Sequence, residues 1–439
     1  MPRLLSRPTP ELVARYGVRV LDARTPAEIA REVERTDSDP EGVGIMTRKG
    51  RILLVRLDGI PLKAAPLLKQ EMLALGADSA HARGVADLSV PESSVVLIGT
   101  PSQYVRLLPK LRRQPFQLKA VAKALEAVLE NYSHTAPRTL RGLHRSTTLG
   151  PSTAVMGVLN LSPDSFSDGG LFDQPEVAIA RGLEIEAEGA QILDVGAESS
   201  RPGASSISAA QEIERLRLVL PALHDRLQIP LSIDTQKPEV ARAALDLGAD
   251  LVNDVSGLRD PNMRQVVARA GAPAVIVHMR GTPATMQKDL AYTDLRAEVY
   301  GSLAHAVAAA IADGIDPEQL LIDPGLGFGK SSRQSLDLLR HLSEFRSLGC
   351  PVVVGASRKS FLGQALGDAT PENRIEASLA AAVIAALGGV AVVRAHDVMA
   401  TVRALAVADA VRAGRFPEAQ VGPGEGDTGS SSSRIKGPT

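Results

Sequence analysis

Cysteine and long apolar runs are both scarce in this sequence, and each scarcity excludes a class of protein. The single cysteine, Cys350, excludes an internal disulfide framework and is consistent with a reducing, cytoplasmic location. No apolar run reaches the roughly 18 residues of a membrane span, and the first ten residues lack a signal-peptide core. We therefore expect no association with a membrane.

Aromatic residues are also scarce, and the positive and negative charges nearly balance. Net charge is −1 at pH 7, which argues against a nucleic-acid partner. Aromatic residues make up 3% and tryptophan is absent, whereas hydrophobic residues reach 44% of 439 residues. The core must therefore consist of Val, Leu, Ile and Ala, a composition that suits α/β layers.

Composition divides the chain into four segments. Residues 1–131 alternate short strand and helix patterns, which indicates a small α+β domain of unknown role. Residues 132–150 are poor in apolar side chains and are predicted to be a linker, while residues 151–414 form the main domain. Residues 415–439 have too little apolar surface to offset their ordering entropy and are predicted to be disordered.

A group of basic residues lies near the end of the first domain. Its members are Lys110, Arg112, Arg113, Lys119 and Lys123. The group is explained by a solvated helix face, and a docking surface for an anionic partner is the alternative.

The main domain alternates apolar strand patterns with helix patterns. Eight strands with intervening helices in about 260 residues match a (β/α)₈ TIM barrel in number and length. An open doubly wound sheet is the alternative, but the absence of a strong dinucleotide fingerprint favours closure. The predicted strands are Ala154–Leu159, Gln191–Val195, Pro230–Ile233, Asp250–Val255, Ala274–Val277, Leu320–Ile322, Pro351–Val354 and Val390–Val393.

Polar residues follow all eight of these strands. One such residue is often only a helix N-cap, but eight polar strand ends together indicate a polar, partly charged ligand at the carboxyl end of the barrel. Carboxylate and amide groups there suit a flat heterocycle with amino and lactam groups: Asp234, Asn253 and Asp323. Cations suit a phosphate-type group: Arg201, Lys359, Arg394 and His396.

Two loops of the main domain, one polar and one rich in glycine, have compositions that suit ligand binding. Val155–Gly170 passes from a buried strand into a polar loop, where Asn160 is placed to bind a divalent ion such as Mg²⁺ together with a phosphate; alone it would also suit a surface turn. Asp323–Lys330 is rich in glycine but fits neither the Walker nor the dinucleotide pattern. Its glycines are interpreted as letting backbone approach a flat ligand, with Phe328 as a contact face.

Eight short motifs then carry a family resemblance. They are MGVLNLSPDSFSDGG, DVGAESSRPGA, SIDT, VNDVSG, HMRGTP, DPGLGFGK, GASRKSFLG and VRAHDV, in this order over about residues 155–398. Together they resemble the dihydropteroate synthases of folate biosynthesis. The resemblance implies that 6-hydroxymethyl-7,8-dihydropterin diphosphate is joined to 4-aminobenzoate, that diphosphate is released, and that sulfonamides mimic the aminobenzoate.

The resemblance also implies a role for individual residues. The pterin site would contain Asp234, Asn253, Met279, Asp323 and Lys359, and the diphosphate site Arg201, Arg394 and His396. The 4-aminobenzoate site would contain Phe166, Ser200, Pro202, Phe328 and Ser360. Asn160 would bind the Mg²⁺–diphosphate, and Asp168, Arg201 and Lys359 would be catalytic. Small molecules are the expected partners, and a homodimer is the expected assembly.

Two residues of the sequence depart from the usual pattern of the family. Ser162 and Ser200 stand where the family usually has threonine, so the hydroxyl groups are kept and two methyl groups are lost.

A pterin-dependent methyltransferase on a similar barrel would need no diphosphate site, and Arg201, Arg394 and His396 argue against it. A non-catalytic pterin-binding scaffold should have lost charged loop residues, yet Asp164, Asp168 and Arg201 are present.

Overall fold

The structure is a computed structural model that describes residues 14–23, 25–150, 152–161, 175–198 and 207–414. Within those ranges, no helix is long and apolar enough to cross a membrane. The chain forms two compact units, residues 1–130 and 131–439, and the boundary between them falls inside one helix. Each unit has its own hydrophobic core.

The first unit is a three-stranded antiparallel sheet with helices. Its strands are β1 (Leu53–Pro61), β2 (Asp78–His81) and β3 (Glu92–Gly99), in the order β1-β3-β2. Its helices are α1 (Pro26–Glu34), α2 (Pro40–Lys49), α3 (Ala65–Leu73), α4 (Pro101–Leu111) and α5 (Leu118–Ser133). Two members of the basic group are already paired, since Lys110 lies 2.8 Å from Glu71 and Arg112 lies 2.6 Å from Glu126. These pairs favour a solvated helix face.

A β-hairpin begins the second unit. Strands β4 (Arg138–Arg141) and β5 (Ser146–Leu149) pair within the segment that composition predicts to be a linker. Each strand buries one leucine, Leu140 and Leu149, in a cluster with side chains from the barrel strands. The hairpin backbone also bonds to residues at the amino-terminal ends of barrel strands, and it therefore lies at that end of the barrel.

Eight parallel strands form the barrel and confirm the predicted fold class. Their order is β11-β10-β9-β8-β7-β6-β13-β12, and a bridge from Ile322 to Val352 joins the two outer strands. Most of their side chains are buried, which explains why the strands read as apolar runs. The strands are β6 (Ala154–Asn160), β7 (Ile192–Gly196), β8 (Leu231–Asp234), β9 (Leu251–Asp254), β10 (Ala274–Val277), β11 (Leu320–Asp323), β12 (Val353–Gly355) and β13 (Val392–Ala395).

Helices connect these strands, and several of them begin at residues that favour a helix start. Ser208 and Ser331 each form a capping box with the glutamine three residues later. Two other helices begin with proline at the first turn, Pro238 and Pro261. The helices are α6 (Pro175–Ala187), α7 (Ala209–Arg226), α8 (Pro238–Asp246), α9 (Pro261–Ala270), α10 (Leu295–Ala312), α11 (Ser332–Arg340), α12 (Ser360–Ala365), α13 (Ile375–Leu387) and α14 (Val398–Ala413).

The hairpin determines where the barrel can be cut from the first unit. A fragment of residues 131–439 keeps the hairpin and is expected to fold. A fragment of residues 150–439 loses Arg145, the ion-pair partner of buried Asp250, and is expected to melt at a lower temperature or precipitate. Circular dichroism melting of both fragments checks this prediction, and equal melting temperatures would contradict it.

Candidate active site

The carboxyl ends of the barrel strands hold most of the predicted site residues. Asn160, Asp234 and Asp323 are the last residues of their strands, while Asn253 and Arg394 are the last but one. The remaining described members follow a strand: Met279, Phe328, Lys359, Ser360 and His396. Five predicted site residues lie outside the described residues, as does Ser162: Phe166, Asp168, Ser200, Arg201 and Pro202.

Three of these side chains and Asp194 form one hydrogen-bonded network across the barrel. Arg394 donates from Nε to Asp194 Oδ2 at 2.7 Å and from a terminal nitrogen to Asp234 Oδ2 at 2.9 Å. Asn253 Nδ2 donates to the same Asp194 oxygen at 3.1 Å. Asp194 is fully buried, and its other oxygen, Oδ1, has no hydrogen-bond partner among the described residues. Asp194 therefore connects a predicted pterin residue to a predicted diphosphate residue.

This network orients two groups that can bind a ligand. Because Asn253 uses an N–H to reach Asp194, its carbonyl oxygen is left as an acceptor. Burial raises the pKa of Asp234 to about 7, and nearby Asp194 adds to the effect while Arg394 opposes it. Asp234 is consequently a carboxylate that gains much from a ligand able to donate N–H groups.

Asp323 and Lys359 form the neighbouring part of the site. Burial raises the pKa of Asp323, and Lys359 opposes the rise, while burial lowers the pKa of Lys359 to about 8. The ammonium of Lys359 donates to the carbonyl of Leu326 and lies 4.1 Å from the centre of the Phe328 ring. A buried acid, a half-buried lysine and an aromatic ring therefore lie close together.

A second buried lysine holds the glycine-rich loop in shape. Lys330 is 2% exposed, and its Nζ lies 2.8 Å from His278 Nδ1 while donating to the carbonyls of Gly325 and Phe328, each at 3.0 Å. Burial lowers the pKa of Lys330 well below its usual value and, helped by Lys330, lowers that of His278 to about 2. A Cβ on Gly325 would lie 1.9 Å from the His278 carbonyl oxygen, so this loop requires glycine there.

Asn160 offers a single protein oxygen to a metal ion. A Cβ on Gly196 would lie 3.5 Å from Asn160 Oδ1 and 3.6 Å from Asp234 Cβ, so the missing side chain leaves space between these two residues. No group of three or more His, Cys, Asp or Glu residues is arranged for a metal within the described ranges. An amide oxygen beside open space fits Mg²⁺, which takes few protein ligands when substrate oxygens supply the rest.

Three other predicted residues, Met279, Ser360 and His396, follow strands β10, β12 and β13. His396 Nδ1 is 3.0 Å from Ser357 Oγ on the neighbouring loop. Met279 is 1% exposed and lines a cavity of about 490 Å³ beside α10, and Ser360 is exposed at the start of α12. The arginine Arg280 in that cavity is already paired with Glu298 at 3.1 Å. Two residues that line this cavity, Arg280 and Glu298, therefore bind each other.

Sequence reasoning missed the roles of Asp194 and Lys330. Asp194 was visible as an acid in a buried strand, but its contact with Arg394 spans 200 positions of sequence. In the sequence, Lys330 stands out only as a residue that does not fit the nucleotide-binding patterns. A lysine that directly follows a glycine-rich loop was the available signal, because its amine can bind several backbone carbonyls at once.

The chain is similar to proteins of known function. Residues 156–396 match the family described as pterin binding enzyme. A dihydropteroate synthase from Synechocystis is 44% identical over 263 residues, which cover 60% of this chain and 91% of that protein. A dihydropteroate synthase from Xanthomonas albilineans, solved with 4-aminobenzoic acid, superposes with a TM-score of 0.60 at 43% identity and covers 63% of this chain and 99% of that one.

One relative also matches the amino-terminal unit. A probable bifunctional folylpolyglutamate synthase/dihydropteroate synthase from Halobacterium salinarum is 40% identical over 388 residues, or 88% of this chain. An alignment of that extent must continue past the barrel unit of residues 131–439 into the first unit. The chain spans 46% of that relative's length.

Proposed function

Since this chain belongs to the pterin-binding enzyme family, and within it to the dihydropteroate synthases, we propose that it joins 6-hydroxymethyl-7,8-dihydropterin diphosphate to 4-aminobenzoate. The products are 7,8-dihydropteroate and diphosphate. The observation that carries the proposal is the clustering of Asp234, Asn253 and Asp323 with the cations Lys359 and Arg394 at one end of the barrel.

The acids and the amide would hold the pterin ring. The carboxylates of Asp234 and Asp323 would accept from ring N–H and amino groups, and the free oxygen of Asn253 would accept a further N–H. Lys359 would donate to a ring acceptor from its position over Phe328. Met279 is buried just after β10 and would pack against the ring. Charge-assisted bonds in a buried site would orient the reactive methylene group.

The cations would stabilise the departing diphosphate. A guanidinium has five N–H groups, and the two bonds from Arg394 to Asp194 and Asp234 leave others to donate to phosphate oxygens. His396 and Arg201 would add positive charge. Mg²⁺ held by Asn160 and the diphosphate would neutralise negative charge on the same oxygens.

The reaction exchanges one bond at the pterin methylene carbon for another. The C–O bond breaks and its electron pair leaves with the diphosphate, while the amine nitrogen of 4-aminobenzoate bonds to the methylene carbon. The amine loses one proton, which the released diphosphate or water accepts. The aryl amine is a weak nucleophile, so stabilising the leaving group contributes most of the rate. Phe166, Ser200, Pro202, Phe328 and Ser360 would border the aminobenzoate, and Asp168 and Arg201 would act beside the reacting atoms.

Product formation tests the proposal. The full chain is incubated with the pterin diphosphate, labelled 4-aminobenzoate and Mg²⁺, and labelled dihydropteroate is expected. The hydroxymethyl pterin without diphosphate is the matched control and should give no product, because it lacks the leaving group. Failure of the folded protein to form product from the diphosphate would refute the proposal.

The raised pKa of Asp234 predicts that pterin binding depends on pH. Ring N–H donors favour the ionised carboxylate, so binding below about pH 7 should release a proton and strengthen as pH rises, levelling off above about pH 7. Calorimetry with a dihydropterin in buffers of different ionisation enthalpy measures that proton release. Asp234→Asn should remove the Asp234 component, and a component undiminished in this variant would contradict the assignment.

The raised pKa of Asp234 also makes the stability of the ligand-free protein depend on pH. The folded-state pKa of Asp234 is above its ordinary value of 3.8, so the folded state binds the extra proton. The contribution of Asp234 to stability is therefore fully present below about pH 3.8 and is lost as pH rises to about 7.

We also propose a homodimer and a cytoplasmic location. Large apolar side chains are exposed on α13 and α14, including Ile384, Val407 and Val411 at 48%, 66% and 68%. A second copy of the chain would cover this surface. Light scattering should give a mass of twice the chain mass of 46.2 kDa, and a mass equal to that of one chain would contradict the dimer. The single buried cysteine, Cys350, suits a reducing compartment.

A further inference from the structure

Two neighbouring strands bring two loops of the site together. Strands β12 and β13 are parallel, with Val353 opposite Val392 and Gly355 opposite Arg394. Continuing that register places the residues that follow each strand at the same level. One loop contains Ser357, Arg358 and Lys359, and the other contains His396 and Asp397.

An ion pair with two hydrogen bonds connects these loops. Arg358 donates from Nε to Asp397 Oδ2 at 3.1 Å and from a terminal nitrogen to Asp397 Oδ1 at 2.5 Å. Beside it, the backbone N–H of His396 donates to Ser357 Oγ at 3.2 Å. We call Ser357, Arg358, His396 and Asp397 the loop clamp. Paired guanidinium–carboxylate bonds fix both the distance and the orientation of the two groups.

The backbone at Arg358 is unusual and is held from several sides. Its φ of 59° lies in the left-handed region, which is unfavourable for a residue with a side chain. The Arg358 N–H donates to Ser378 Oγ at 3.0 Å, and its carbonyl accepts from Arg374 at 2.8 Å. Strained conformations of this kind persist only where surrounding contacts determine them. The structure therefore maintains one conformation of the chain immediately before Lys359.

We propose that Arg358 and Asp397 are positioning residues that set the placement of Lys359 relative to His396. Arg358 directly precedes Lys359 and Asp397 directly follows His396, and the ion pair between them joins the two loops. This inference rests on the proposed function, in which Lys359 holds the pterin and His396 the diphosphate of the same substrate. Arg358 and Asp397 act through these two residues without touching the substrate.

Three variants test the clamp: Arg358→Ala, Asp397→Asn and the double variant. The side chain of Asp397 makes no cap bond to α14, so changing it removes no helix cap. Misplacing Lys359 or His396 should lower kcat/KM for the pterin diphosphate on the order of tenfold to a hundredfold. The double variant should be about as impaired as either single variant, because each removes the same interaction. Arg358→Lys should restore only part of the loss, since an ammonium cannot form the paired bonds.

Hydrogen exchange supplies a readout that does not depend on catalysis. Peptides spanning residues 356–362 should exchange faster in Asp397→Asn than in the unaltered protein, while the melting temperature changes by a few degrees at most, because the pair is partly exposed. Arg264→Ala is the matched control, since it breaks an ion pair with Asp313 of 2.6 Å elsewhere on the barrel. Its kinetic constants and its exchange over residues 356–362 should not change.

The outcomes separate the clamp from the proposed function. Unchanged exchange over residues 356–362, additive kinetic losses, or losses fully explained by a smaller folded fraction would each overturn the clamp. If the unaltered protein forms no dihydropteroate, the proposed function fails, and the exchange comparison still decides whether Asp397 holds the first loop.

Discussion

Asparagine in place of Asp234 or Asp323 is expected to weaken binding of a dihydropterin by about 2–4 kcal/mol, or roughly thirtyfold to a thousandfold. Both carboxylates are largely buried at strand ends, where each would accept N–H groups of the ring. Asparagine keeps the shape of the side chain but removes the charge, so the charge-assisted bonds become ordinary ones and an amide N–H group opposes the ring donors. Calorimetric titration of each variant with a dihydropterin measures the change.

Asp254 provides a matched control for these two variants. It is fully buried and directly follows Asn253, but its carboxylate accepts from the backbone of Ser256 at 2.7 Å and of Leu258 at 2.9 Å. It therefore stabilises the turn after β9. Asp254→Asn should lower stability and leave pterin affinity within about threefold. Unchanged affinity in both Asp234→Asn and Asp323→Asn would remove these carboxylates from the proposed site.

The barrel was predictable from sequence because burial on both faces leaves a simple signal. Each barrel strand is a short apolar run ended by a polar residue, and the eight runs correspond to β6–β13 within a few residues. Strand β2, Asp78–His81, has the sequence DSAH and no apolar alternation, so nothing local distinguishes it from a loop. Conversely, Val18–Leu21 has a strand-like composition but is not a strand, and Val20 is 98% exposed. Composition alone cannot supply a pairing partner.

The sequence indicates which residues lie at the strand ends, but not which of them bind one another. Strand ends identify Asp234, Asn253, Asp323 and Arg394, because a closed barrel gathers these ends whatever the intervening sequence. Which of them bind one another depends on side-chain geometry across the barrel. The carboxylate of Asp194, which joins Asn253 to Arg394, illustrates this limit, since neither partner lies near it in sequence.

The hairpin at the other end of the barrel was missed for a related reason. Strands β4 and β5 each have four residues and bury one leucine, too little apolar surface to be recognised alone. Their stability comes from long-range bonds to Asp250. This carboxylate accepts from the backbone of His144 at 2.7 Å, of Arg145 at 2.8 Å and of Leu231 at 2.9 Å. The guanidinium of Arg145 lies 3.2 Å from it and completes the set.

Replacing Arg145 with alanine is therefore expected to destabilise the barrel by about 3–5 kcal/mol, the usual cost of removing one partner of a buried ion pair. Asp250 is fully buried and the side chain of Arg145 is 14% exposed, so water cannot easily replace the guanidinium. Arg145 Nε also donates to the carbonyl of Leu227 at 2.9 Å, and that acceptor loses its partner in the variant. Scanning calorimetry of the full chain should show the barrel transition lowered by roughly 10 °C.

Arg141 in the same hairpin is the matched control. Its side chain is 66% exposed and lies 3.6 Å from Asp316, which is 49% exposed, so water and salt screen the pair. Arg141→Ala should change the stability of the barrel by about 0.5 kcal/mol or less. The hairpin lies at the end of the barrel opposite the site, so the folded fraction of Arg145→Ala should retain normal pterin affinity at 25 °C. Equal destabilisation by the two variants would show that the hairpin is held by its burial alone and that the Arg145–Asp250 pair contributes nothing specific.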